Sequence, residues 1–565
     1  MTKLTQVVEL DASAASRADA TEPVRSALRS LRGAGPKKLV FPKGRYHFWS
    51  DRATEEYLFV SNNDPSLKAL AFPLIGFDDL EIDGQGSEFI FHGFITPFAI
   101  SASHDIRLRN FSIDWERTFH NEALIMDSKP APKDGLASID LGISKQYPYR
   151  VEHEQLRFTG YHDHEPLAPG HALSFDPVRR EPSWQAHDDW AVKQWHHAVE
   201  IDPGIVRFTA KFSQPPKAGN VATFSNAGRY CPAIVLTGSQ DIELSDIAIH
   251  HCGGMGVIAQ LTRNIRLTRV KVTPPPGSDR VISATADATH VVNCAGQIEF
   301  DECRFENQLD DPGNFHGIYA RVSRVTSPST VEVELVHGQQ VGIEITHPGD
   351  EIEFVGNKNL LTYATAKVAA FTRINKRFFE VEIEGNLPPE TAKGDVIASL
   401  TWVSNVTVRN SRVGNNRARG FLISTAGKVL IENNVFRSPG AAILIAGDAN
   451  YWFESGKVRD ITVRGNTFDN CLYSVWGRAV IDIVPEIEPK NREGALYHQN
   501  IRIENNKFIL ADARVMNAHC VDGLVFKNNT IEWGSDYPLG PGKEAFHVEA
   551  CANVEIEGDT LPPRD

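Results

Sequence analysis

Residues Asn405–Phe436 read NVTVRNSRVGNNRARGFLISTAGKVLIENNVF, and one pattern occurs in them twice: Val406-Thr407-Val408-Arg409-Asn410, then Val429-Leu430-Ile431-Glu432-Asn433, 23 residues on. Alternating apolar and polar residues predict a strand with one buried face, and the asparagine after it supplies a left-handed corner. The same interval leads from Asp241-Ile242-Glu243-Leu244 to Asn264-Ile265-Arg266-Leu267, and from Asn500-Ile501-Arg502-Ile503 to Gly523-Leu524-Val525-Phe526. Looser copies start at Leu80, Ile106 and Ile461. A repeat this short, without a helical half, is one turn of a solenoid. The expected fold class is all-β, a right-handed parallel β-helix whose corner asparagines bond up and down the stack as amide ladders. Ahead of the repeats, Ala20 to Arg32 carry a helical pattern with Thr21 as expected N-cap and Gly33, Gly35 and Pro36 as the stop. Such a helix supplies the polar end that a stack of turns requires.

Two stretches, Glu116 to Arg229 and Ile318 to Leu400, lack the asparagine corner and alternate instead between Gly, Pro and Asp turns. They share internal landmarks, Pro215-Pro216 in the first and Pro388-Pro389 in the second, each followed by a Lys-containing turn. We expect two related, small antiparallel β-barrel domains inserted between turns. The division is then 1–115 cap and first turns, 116–230 first barrel, 231–317 β-helix with the site, 318–400 second barrel, and 401–565 C-terminal turns.

A chain of 565 residues exceeds one compact core, and the solenoid accommodates that length. Its net charge of −14 argues against nucleic acid or an anionic membrane as partner, since both need concentrated Lys and Arg. The seven cysteines show no zinc spacing and are expected as free buried thiols. Neither the start of the chain nor any later stretch has the apolar run of a secretory leader or membrane span. A soluble protein is expected, cytoplasmic, or secreted or periplasmic with its leader removed, and a homo-oligomer is left open.

The 23-residue interval also separates Asp287 from Asp310, which is followed by Asp311-Pro312-Gly313. Asp287 and Asp310 are therefore expected at the same place on neighbouring turns, about 4.7–4.9 Å apart in strand spacing. Crowded carboxylates cannot all ionise easily, and the protonated one can serve as general acid beside a general base. Counting along each coil sets Arg419 at the place of Asp311, Asn293 one interval before His316, and Asp448 near the His316 column. Trp452 offers a flat apolar face to a sugar. Asp-Pro-Gly is equally an ordinary solvated turn, and Trp452 an ordinary packed aromatic; both readings stay open on the pattern. His250 and His251 lack a third ligand and are expected to be structural.

At Asp287-Ala288-Thr289-His290, Asp310-Asp311-Pro312-Gly313-Asn314-Phe315-His316-Gly317, Asn416-Arg417-Ala418-Arg419-Gly420 and Trp452-Phe453-Glu454-Ser455-Gly456, the chain resembles the α-1,3-galactosidases of glycoside hydrolase family 110. The resemblance covers most of the chain. It implies an exo-acting, inverting hydrolase that removes terminal α-1,3-linked galactose, including from blood-group B structures in some members, with Asp287, Asp310 and Asp311 catalytic and no metal or other cofactor. Asn293, Asn314, His316, Arg419, Asp448, Trp452 and Glu454 are the expected substrate contacts. By similarity to the polygalacturonases, Asp310 is expected as general acid, with Asp287 and Asp311 holding the attacking water. The second insertion, opening just after His316, is expected to close the pocket. A polygalacturonase itself fits less well, since its Asn-Thr-Asp before the pair and Arg-Ile-Lys after the histidine are missing; a lyase would need a calcium cluster and a basic catalyst. A non-catalytic carbohydrate-binding solenoid remains the other alternative.

Overall fold

In the computed structural model the chain is described at residues 5–16, 18–130, 136–162, 164–225, 228–538, 544–558 and 561–563. The first four residues, part of the segment read for a leader, lie outside them. Two parallel sheets run along the stack. In the first, a turn contributes two short strands around the corner, as Ser404–Arg409 and Arg412–Gly414 do about Asn410; in the second it contributes one, such as Phe421–Ser424. Ile242 faces Ile265, Val406 faces Val429 and Ile501 faces Leu524, so the 23-residue turn is real at the corner. Longer turns keep that corner and place their extra residues as loops beside the second sheet, as between Val429 and its partner Ile461.

Asn410, Asn433, Asn505 and Asn528 all have positive φ, the conformation that turns the strand. The next residue makes the ladder. Backbone and side-chain N–H of Asn434 donate to Asn466 Oδ1 (2.9 and 3.0 Å), and Asn466 donates likewise to Asn506, and Asn506 to Asn529. Each rung satisfies a buried backbone donor that the turn would otherwise strand. Behind it, Phe436, Phe468 and Phe508 stack at centroid spacings of 5.1 and 4.7 Å.

The cap helix spans Thr21–Ser30 and buries Val24, Ala27 and Leu28 on the first turn. Thr21 is its first helical residue, a correction to its expected role as N-cap: Ala20 holds that position without a side-chain cap, and Asp19 Oδ1 accepts the Thr21 N–H (2.9 Å).

The first insertion forms a seven-stranded antiparallel sheet between Asn121–Pro130 and Val221–Phe224. The second closes a six-stranded barrel from Ala320–Ser327 to Val396–Ser399. Each is tied down by a buried polar group. His251 accepts the Phe119 N–H at Nε2 (2.8 Å) and donates from Nδ1 to the Ser283 carbonyl (2.6 Å), which makes it a joint between insertion and helix. Lys457 Nζ reaches Glu353 of the second barrel (2.6 Å). All seven cysteines are free and six are buried. Among the described residues, no helix is long and apolar enough to cross a membrane.

Candidate active site

Strands Thr289–Val292, Gly313–Ile318 and Phe421–Ser424 lie side by side in the second sheet, and the loops entering them carry the acidic residues. Thr289 faces Gly313, and the Ala288 N–H donates to the Asp311 carbonyl (2.9 Å). Asp287 therefore stands in register with Asp311, one residue away from the expected pairing with Asp310. Within that turn the corner strand carries one extra residue, a bulge that pairs Ala295 with Arg263 but Ile298 with Ile265. Gly313 is required here: a Cβ would come within 2.8 Å of the Phe421 ring and 2.9 Å of Thr289 Oγ1.

Asp287, Asp310, Asp311, Asn314, Arg419, Asp448, Trp452 and Glu454 all line one cavity of about 360 Å³. Its neighbour, about 590 Å³, shares Arg229, Asp310, Arg419, Tyr451 and Trp452 with it. That second space is walled by the first insertion through His171, Trp190 and Tyr230, while the second insertion contributes Gln339. The expectation that the second insertion closes the pocket is thus corrected. Its remaining contribution is His337, which packs on Trp452 with ring centroids 4.4 Å apart.

Asn293 and His316, expected as substrate contacts, do not reach the cavity. Asn293 spends its amide on the Ile318 N–H and the Ile345 carbonyl. The His316 side chain is fully buried behind His290. Asp448 borders the cavity, but its carboxylate accepts the N–H groups of Asn450, Tyr451 and Trp452 and so shapes the aromatic loop.

The three aspartates have different surroundings. Asp310 is gripped on both oxygens, by Arg417 Nη1 at Oδ1 (2.9 Å) and Arg229 Nη2 at Oδ2 (2.5 Å). Burial pushes its pKa up, yet Arg417, Arg229 and Arg419 prevail and hold it below the usual carboxylate range. Asp311 forms a two-point pair with Arg419, at 2.9 and 3.2 Å. Burial nevertheless carries it up to about 7, Arg419 opposing and the charges of Asp310 and Asp287 adding. Asp287 has no guanidinium in contact among the described residues; its partner is His290 Nδ1 at 2.6 Å. Burial first, and then the charge of Asp310, raise it well above its ordinary value. Glu454 accepts from Asn62 and Asn314. Burial raises its pKa, but His316, His290 and Asn314 outweigh that and leave it lowered.

Arg229, Arg417, Asp188 and His290 were not singled out as functional. Arg417 and His290 lie inside quoted motifs, but nothing in the spacing marks Arg229, at the far edge of an insertion. Asp188, also in the first insertion, pairs Arg417 at 2.8 and 2.9 Å and so connects that domain to Asp310. Among the described residues, two groups bring three ligand-type atoms within 4.8 Å, His290–His316–Glu454 and His47–His92–Glu116. In each the two imidazoles already meet through a hydrogen bond of 2.8 Å.

The family models GLAA-B beta-barrel domain I and GLAA-B beta-barrel domain II match residues 133–222 and 330–397, and the right handed beta helix region matches 396–561. Alpha-1,3-galactosidase A of Shewanella woodyi is 37% identical, the match covering 96% of this chain and 88% of that protein. Alpha-1,3-galactosidase B of Bacteroides thetaiotaomicron is 36% identical, over 99% of this chain and 92% of its own. Alpha-1,3-galactosidase A of Bacteroides fragilis is 33% identical, over 95% and 88%.

Proposed function

The chain belongs to the α-1,3-galactosidase family, and from that premise we propose that it is an exo-acting, inverting hydrolase releasing terminal α-1,3-linked galactose. The carrying observation is a small cavity lined by three aspartates, Asp287 and Asp311 buried and Asp310 partly exposed, whose surroundings drive their proton affinities apart. Such a split is what divides acid and base roles between like groups. The cavity lies at the small end of the ~300–1,000 Å³ typical of ligand pockets, which suits one terminal sugar, with the rest of the substrate in the adjoining space.

Asp310 borders both spaces, and position alone would make it the proton donor. Charge supports the opposite role, since each neighbouring cation depresses a carboxyl pKa by roughly 1–3 units. A carboxylate held on both oxygens by guanidinium groups stays ionised, the state that a base requires. In this reading Asp310 takes a proton from the attacking water, Asp311 helps orient that water, and Asp287 protonates the departing glycosidic oxygen. The alternative is the polygalacturonase-like assignment, with Asp310 as acid and Asp287 and Asp311 on the water. No step calls on a metal. Incubation with α-1,3-digalactoside should yield free galactose, faster than from α-1,4- or α-1,6-linked digalactosides. Absence of galactose release from the α-1,3 isomer by folded protein would move the reading to a binding solenoid.

A further inference from the structure

Away from the cavity, the first turns of the solenoid bring together a second group of chemistry-bearing side chains. Strands Arg45–Trp49, Asp78–His92 and His104–Trp115 are parallel neighbours in the first sheet. Trp49 faces His92, and Phe91 faces Trp115, which brings Glu116 level with His92 on the next strand. His47, two residues before Trp49, projects from the same face. His47 Nδ1 meets His92 Nε2 at 2.8 Å, and His92 Nδ1 lies 3.2 Å from Glu116 Oε2. Trp49 lies flat on His92, with ring centroids 4.0 Å apart and planes 2° from parallel, and so fixes the plane in which its nitrogens point. His47 is buried, whereas the Glu116 side chain is 44% exposed and keeps one side of the cluster in contact with solvent.

A shared hydrogen accounts for the approach of the two imidazoles. The carboxylate beside His92 Nδ1 favours hydrogen on that nitrogen, so Nε2 presents a lone pair and His47 donates to it. The same tautomer of His92 is the one a metal uses, and an imidazole whose far nitrogen is held by a carboxylate is the usual form of a metal-ligating histidine. Moving the His47 hydrogen to its Nε2 leaves two lone pairs converging on one point. Zinc bonds imidazole nitrogen at about 2.0–2.1 Å, so two such nitrogens in a tetrahedral site stand roughly 3.3 Å apart, an opening of about 0.5 Å from their present separation. One ligand atom from each of the three residues already lies within 4.8 Å of the others, so Glu116 supplies a third donor and solvent the fourth.

We propose that His47, His92 and Glu116 form a structural zinc site that fastens the root of the first insertion to the first solenoid turns. Glu116 is where the chain leaves the strand His104–Trp115 for that insertion, and the insertion's His162 reaches back to Asp51, two residues past Trp49, at 2.7 Å. An ion here adds a second tie between the same two parts. None of the three ligands lines the catalytic cavity or the adjoining space, so the ion takes no part in hydrolysis, whichever aspartate donates the proton.

The full chain is stripped with chelator, dialysed and titrated with zinc chloride by calorimetry, and Tm is read with and without zinc. Wild type should bind one zinc per chain and gain in Tm as zinc is added. His92→Gln keeps an amide that can hydrogen-bond to both neighbours but removes a nitrogen ligand. Its zinc affinity should fall at least tenfold and its zinc-dependent rise in Tm should vanish, while its Tm without zinc stays near that of stripped wild type. If that variant does not fold, Glu116→Gln, at an exposed side chain, should weaken zinc in the same direction. Galactose release from α-1,3-digalactoside well below Tm should be the same with and without zinc. Failure of wild type to take up zinc in the micromolar range, or uptake that the variants retain in full, overturns the site and leaves the cluster as hydrogen bonds. Zinc that inhibits wild type and variants alike sits in the cavity and overturns it too.

Discussion

Replacing Arg417 removes one of the two guanidiniums on Asp310, and the sign of the result separates base from acid. Arg417 also pairs Asp188, so the substitution Arg417→Gln is combined with Asp188→Asn to avoid leaving a buried carboxylate unpaired. The Asp310 side chain is 13% exposed, which warrants an effective dielectric of about 20 rather than that of water. At roughly 4 Å between charge centres the lost attraction is about 4 kcal/mol, an upper bound of about 3 pKa units. With Arg229 still in place, a rise of about 1–3 units is expected for Asp310. If Asp310 must be ionised to act, the acidic limb of kcat/KM for a nitrophenyl α-galactoside moves to higher pH by that amount. Asp188→Asn alone, which keeps Arg417, should leave that limb near its wild-type position. Extension of the basic limb upward, with the acidic limb unmoved, would mean that Asp310 is the donor and would refute the assignment.

Asp287→Asn should cost about 10²–10⁴ in rate on α-1,3-digalactoside and recover in part on a substrate whose aglycone departs without protonation. Equal losses on both substrates would remove Asp287 from the donor role. His251→Ala strands the Phe119 N–H in a buried joint, so thermal unfolding should show a loss of about 1–3 kcal/mol, and an unchanged Tm would mean that the joint carries no load. Asn466→Ala breaks the ladder in its middle and should cost a similar amount without altering KM. Exhaustive chelation should leave the rate unchanged; loss restored by added metal would contradict the metal-free scheme.

The fold was legible where one residue type does one geometric task. Asn433-Asn434 and Asn505-Asn506 show why: the first of each pair takes the positive φ and the second hangs in the ladder, a pair that recurs in the C-terminal turns. Register at the site was harder to read. The spacing of Asp287 and Asp310 copied the corner interval, whereas their own face follows loop lengths that vary from turn to turn, and the true partner is one residue on. The aspartates could be found because Asp287 and Asp310 repeat the corner interval and lie in motifs that resemble the family, although Asp-Pro-Gly alone is an ordinary turn. Arg229 could not, because it enters from the end of an insertion and meets Asp310 across 81 positions of sequence. The roles of Asn293 and His316 inverted for a related reason: a column in the sequence says which residues stack, but not which side of the wall their side chains reach.

The central claim is hydrolysis at one α-1,3-linked terminal galactose with separate acid and base carboxylates. Proton NMR of α-1,3-digalactoside during the first minutes of reaction, faster than mutarotation, tests it most directly. The account predicts that the newly released non-reducing galactose appears first as the β anomer; first appearance of the α anomer would establish retention and contradict it.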